Sequence, residues 1–178
     1  MLRIPSEIKN DQFEALKIKE STFVAYRSDV YPSRNEVFFE ENAVIYVLEG
    51  DKIFSGRNHQ VNVKKGDVLF VKSGYYLMAE STNEKYKSLV FFINDKLIKE
   101  FVGFNLELFK DPQTAYVSDM LLNFPSNEVF GKFIESILPY FKSKTQYQNQ
   151  FLKLKLHELL LHLLEFDKNL NFKSLLFS

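Results

Sequence analysis

Between residues 21 and 94 apolar and polar positions alternate in short runs cut by turn residues, the period-two pattern of half-buried strands. Ser21–Arg27 alternates around Phe23 and Ala25. Ala43–Leu48 is an unbroken run of β-formers, ended by the turn Glu49-Gly50-Asp51. Lys52–Gly56 and His59–Val63 flank a turn at Gly56-Arg57-Asn58, and Lys64-Lys65-Gly66-Asp67 leads into Val68–Val71. Ser73-Gly74 separates that strand from Tyr76–Glu80, and Lys87–Ile93 closes the series. Short strands at this spacing predict an antiparallel sandwich or barrel over residues 21–94.

After Asn94 the period changes to about 3.6. Asp95–Phe104 predicts a helix capped by Asn94 or Asp95, with Leu97, Ile98, Phe101 and Val102 on one face. A less regular stretch runs through Pro112, Ser118 and Pro125. A second helix starts at Ser126-Asn127-Glu128, with Val129, Phe130, Phe133, Ile134, Ile137 and Phe141 on its apolar face and Pro139 kinking or ending it. Gln146–Phe166 is the longest helical pattern, and Phe172–Phe177 forms a short last one. Residues 1–20 read as an extended arm anchored by Phe13, Leu16 and Ile18. The fold class is mainly β, a barrel followed by a helical segment over 95–178.

Composition narrows the function. Lys plus Arg and Asp plus Glu both number 23, a formal net charge of zero, whereas a nucleic-acid-binding domain carries surplus cations. Cysteine is absent, which removes disulfides, thiolate metal sites and cysteine nucleophiles. The 19 Phe and 9 Tyr predict a Phe-rich core. No run approaches the ~18 apolar residues of a membrane span, and the first residues lack the apolar core of a secretory signal. A cytoplasmic location is the expectation.

Candidate chemistry is sparse. His157-Glu-Leu-Leu-Leu-His162 holds one residue more than the zinc-protease pattern. Histidines five apart are rotated by about 140° on a helix and cannot share one zinc. His59 stands alone near a turn, and Glu40-Glu41 reads as a pair of solvated charges. No nucleophile elbow, phosphate loop or dinucleotide fingerprint is present, so the sequence supplies no catalytic set and no cofactor is expected.

Gly66-Asp67-Val-Leu-Phe-Val-Lys-Ser-Gly74, preceded by Ala43-Val-Ile-Tyr-Val-Leu-Glu-Gly50, resembles the paired strand motifs of the cupin family. The turn glycines Gly50, Gly66 and Gly74 match, as does Asp67. The metal positions do not: the family's glutamate falls at Ala43, its histidines at about Glu36, Phe38 and Leu77, and its proline at Lys72. Only Glu36 is a ligand type, and one carboxylate is not a metal site. The resemblance implies an apolar barrel interior, with Phe38, Ala43, Ile45, Val47, Leu77 and Ala79 lining a ligand pocket or simply packing together.

A degenerate cupin barrel followed by helices, the last long one Leu-rich, resembles the N-terminal regulatory domain of AraC-family transcription regulators, in the branch that includes the type III secretion activator ExsA. The strand motif IYVLEG…KKGDVLFVKSG and the helix LKLHELLLHLLE carry this resemblance. It implies a sensing barrel, a small-molecule effector or a protein anti-activator, a homodimer, and DNA contact only through a C-terminal helix-turn-helix domain expected beyond Ser178. Leu152, Leu156, Leu159, Leu163 and Phe166, at steps of four, three, four and three, are the expected dimer seam. A cupin-fold enzyme and a stand-alone binding module are the alternatives.

Overall fold

A computed structural model describes residues 1–8, 13–17, 22–28, 35–80, 85–110 and 121–176. Strands fill the first half: β1 (Leu2–Ile4), β2 (Phe13–Lys17), β3 (Thr22–Ser28), β4 (Asn35–Phe39), β5 (Asn42–Glu49), β6 (Asp51–Ser55), β7 (Gln60–Lys64), β8 (Asp67–Val71), β9 (Gly74–Glu80) and β10 (Tyr86–Ile93). Then come α1 (Asp95–Phe104), β11 (Leu121–Pro125), α2 (Glu128–Ile137), α3 (Gln148–Phe166) and α4 (Asn171–Leu175). One sheet has the order β1-β4-β9-β6-β7, the other β11-β8-β5-β10-β3-β2. The two sheets enclose the barrel, and the expected cupin-like architecture with trailing helices is present. Strands from outside 21–94 also join it: β1 pairs in parallel with β4, while β2 with β3 and β11 with β8 are antiparallel pairs. Their short or weakly alternating sequences gave no strand pattern.

Turn chemistry places these elements. Gly50 links the sheets at φ 76°, and a Cβ there would stand 2.6 Å from the Lys85 carbonyl oxygen. Only glycine fits both the conformation and the approach. Asn94 and Asn127 cap α1 and α2 in the same way, each side-chain oxygen accepting a backbone N–H three residues on at 2.9 Å. The α-helical geometry of α2 stops at Ile137, and Leu138–Phe141 continues as a 3₁₀ turn around Pro139. The Ser126 hydroxyl donates to the Gly66 carbonyl and so ties the start of α2 to the β7–β8 turn.

Two cores share the six-stranded sheet. Ala43, Ile45, Val47, Leu69 and Val71 face the barrel interior with Val37, Phe39, Phe54, Val63 and Phe92. On the opposite face Val44, Val68, Phe70, Leu89 and Phe91 pack beneath the helices. Registers match this division, with Val44 opposite Phe70 and Ile45 opposite Leu69. Val68, Leu69, Phe70 and Val71 are therefore all buried, and β8 reads as a continuous apolar run rather than an alternating one.

Candidate functional site

The helical layer rests on one long element. Leu152, Leu156, Leu159, Leu160 and Leu163 of α3 are fully buried against the sheet and the neighbouring helices. On one flank Lys153 Nζ reaches Glu100 Oε1 of α1 at 2.7 Å, and the His157 ring lies 5.8 Å from both Phe101 and Phe104. Burial there holds the His157 imidazole below the ordinary histidine range; Glu100 pulls the other way and Lys153 adds to the lowering. On the other flank the His162 ring packs on Phe133 at 5.0 Å and Phe130 at 5.3 Å of α2, and its Nε2 lies 3.1 Å from Glu158 Oε2. The two histidines thus serve opposite helix–helix contacts. Among the described residues no group of three His, Cys, Asp or Glu is placed to hold a metal.

Among the described residues the barrel interior is apolar with one cationic exception. Lys52 is 4% exposed, its ammonium 4.1 Å from the centroid of the Tyr86 ring. The signal for it was present in the strand: Lys52 stands two residues from Phe54, which is fully buried on the same face. Ser88 lies between Tyr86 and Val90 on β10, also buried.

The family model described as ExsA N-terminal regulatory domain matches residues 42–175, three quarters of the chain. The chain belongs to that family. Among curated proteins none matches at a significant level. Solved structures similar to it include ToxT from Vibrio cholerae, at a TM-score of 0.60 and 13% identity over 86% of this chain and 58% of that one. Another ToxT structure from that organism, bound to an unsaturated fatty acid, gives 0.56 and 12% over 92% of this chain and 58% of that one. A third, bound to (E)-4-(8-methylnaphthalen-1-yl)but-3-enoic acid, gives 0.59 and 13% over 86% and 58%. The chain therefore spans under two thirds of the length of ToxT. It is an AraC-family regulatory domain of cupin-like fold.

In this ExsA-type domain the residues singled out from sequence fall into three places. Ala43, Ile45 and Val47 face the barrel interior. Phe38, Leu77 and Ala79 do not. Val37 and Phe39 point inward on β4 and Tyr76 and Met78 on β9, so Phe38 and Leu77 lie on the outer face, where Phe38 touches Tyr75 at 4.6 Å and the Arg3 guanidinium covers it. Ala79 faces out beside Ile53. The register that the resemblance implies is one residue out on β4 and β9, and a one-residue slip moves every side chain to the other face. Glu36 shares that outer face, away from the barrel core.

The expected dimer seam requires a similar correction. Leu152, Leu156, Leu159 and Leu163 have 0% exposure and are used up inside the protomer, while Phe166 packs between Phe124 and Phe130. The helix carries the four-three spacing twice. Tyr147, Phe151, Leu154, Glu158, Leu161 and Glu165 repeat it on the opposite face, and there Tyr147, Phe151, Leu154 and Leu161 are 57, 45, 68 and 40% exposed. Spacing alone does not say which stripe meets the protein's own sheet. The uninterrupted leucine stripe does, because a carboxylate such as Glu158 cannot be placed in that core without a partner.

Proposed function

We propose that this chain is the sensing and self-association part of a transcription regulator whose DNA contacts belong to a separate domain. Its signal is a small apolar molecule taken into the barrel beside Ala43, Ile45 and Val47, or a protein partner bound to its surface. The observation that carries self-association is the outward stripe of α3. Large apolar side chains at Tyr147, Phe151, Leu154 and Leu161 repeat at seam spacing on a helix whose other face is already core. A second copy of the same stripe covers them by a twofold contact. The neutral charge supports a role away from phosphates. The sensing role is supported by the single sheet that forms both the barrel wall and the floor of the helical layer, so a change in barrel packing reaches α3 directly.

Fusing the chain to a monomeric DNA-binding module tests this reading. Binding to two adjacent half-sites is expected to tighten at least tenfold over the module alone, while binding to one half-site stays unchanged. Equal affinity for paired half-sites with and without the chain overturns it.

A further inference from the structure

The short helix α4 hangs from α3 by a joint whose backbone does not suit its side chain. Helical hydrogen bonding in α3 ends at Asp167, whose N–H donates to the Leu164 carbonyl at 3.3 Å. Three residues on, Leu170 takes φ 59° and ψ 21°, in the left-handed region. Among the described residues it is the one residue other than glycine with a positive φ. In that region the Cβ of an L-residue crowds the following carbonyl oxygen, which shifts an equilibrium against the conformation by roughly five- to thirtyfold.

The joint holds because it is tied on both sides. The buried Asp167 carboxylate accepts the Lys173 N–H at 2.8 Å. The Leu170 carbonyl accepts the Ser174 N–H at 3.1 Å and the Ser174 hydroxyl at 2.8 Å. Phe172, fully buried, sets its ring 5.1 Å from Phe70 of β8, and with Leu175 it makes up the buried part of α4. Around these ties the packing is open. Two grooves meet at the joint, and Asp167 lines both. One, of about 620 Å³, runs past Leu108, Leu161 and Leu170; the other, of about 840 Å³, runs past Phe124 and Asn171. The helix is fastened from beneath and little supported at its flanks.

We propose that α4 is a strained latch, which lifts off β8 as a unit by turning about Leu170 while α3 and the barrel stay folded. Lifting relaxes the Leu170 backbone and breaks the Asp167–Lys173 bond, so the strain offsets part of what docking gains. Its seat gives the latch a role. Phe70 stands between Leu69 and Val71, which face the barrel interior, so Phe172 closes on a strand that the barrel packs from the other side. A shift of that strand changes how tightly the latch is seated. Neither self-association of α3 nor a ligand in the barrel is required for this.

Amide exchange of the full chain tests the latch at the Lys173, Ser174 and Leu176 N–H groups, which bond to Asp167, Leu170 and Phe172. The three are expected to share one protection factor, at least a hundredfold below that of buried α3 amides such as Leu159 and Leu160. Low denaturant should leave it unchanged, since lifting so short a helix exposes little surface. Leu170→Asn, a residue that tolerates the left-handed region, should raise all three protection factors at least threefold. Leu170→Ile, similar in volume but branched at Cβ, should lower all three by at least as much. Phe172→Leu, which shrinks the seated ring, should lower them as well. Protection equal to that of α3 would make α4 part of global unfolding and overturns the proposal. Protection that falls stepwise from Lys173 to Leu176, the mark of simple fraying, overturns it too. So do values that fail to move in opposite directions for the two Leu170 variants.

Discussion

The two sheets of the barrel are built from similar strands and live in different surroundings. At β8 and β10 the six-stranded sheet is buried on both faces: β10 carries six consecutive buried residues from Ser88 to Ile93, and β8 four from Val68 to Val71. The five-stranded sheet has one face in the core and the other more open, so β6 alternates between half-buried and buried residues, and β7 between exposed residues and the more buried Val61 and Val63. One sheet is therefore a wall shared by two cores, and the other is a lid over one. A perturbation in the shared wall is felt by the barrel and the helices together, whereas a change on the lid stays local. This is the physical basis for treating the helical layer, and α3 in particular, as the part that responds to the barrel.

The largest expected effect tests the shared wall. Phe70 lies beneath the helices with its ring 5.1 Å from Phe172. Phe70→Ala is expected to cost about 3–5 kcal/mol, and denaturant unfolding should show barrel and helix signals lost in one transition. Separate transitions in the parent protein would mean the two cores are not coupled. Next is the joint between the sheets. Gly50→Ala forces a side chain into the left-handed region and against the Lys85 carbonyl, at an expected cost of about 1–3 kcal/mol; a variant as stable as the parent would remove that close approach.

Acid should loosen the helical side before the lid. The His157 imidazole, held below the ordinary histidine range, favours the neutral ring in the folded state. Its contribution to stability is complete above about pH 6.5, the ordinary value, and is lost as pH falls through that value toward the lower folded one. His157→Gln is expected to flatten the stability profile below about pH 6.5; an unchanged slope would deny His157 that role. The smallest effect belongs to the lid's outer face. Leu77→Thr, read by denaturant midpoint, should change stability by no more than about 1 kcal/mol, since its side chain leaves the core untouched.

The same contrast explains what was legible in the sequence. Turn glycines and Asn caps act locally, so the hairpins around Gly50 and Gly66 and the starts of α1 and α2 could be read directly. The inward set on β5 was also readable, because Ala43, Ile45 and Val47 lie within one unbroken strand. Phe38, Leu77 and Ala79 were misplaced because the lid's outer face carries apolar residues too, so nothing local to β4 and β9 fixes their register against the family's. The seam on α3 was misplaced because both faces of that helix carry large apolar side chains at seam spacing, and only the tertiary fold shows which repeat the sheet consumes. β11 escaped notice because five residues ending in proline give no alternation to read.

Self-association through the outward stripe of α3 is the claim on which the regulatory account turns. Sedimentation velocity at micromolar concentrations of the unmodified chain, beside a Leu154→Glu, Leu161→Glu double variant, tests it most directly. The account expects a dimer for the unmodified chain and a folded monomer for the variant, since both side chains are exposed in the protomer. A Leu156→Glu, Leu163→Glu variant run alongside should instead lose the folded state, because those leucines belong to the core. An unmodified chain that sediments as a monomer, or a dimer that survives the outward double change, would contradict the account.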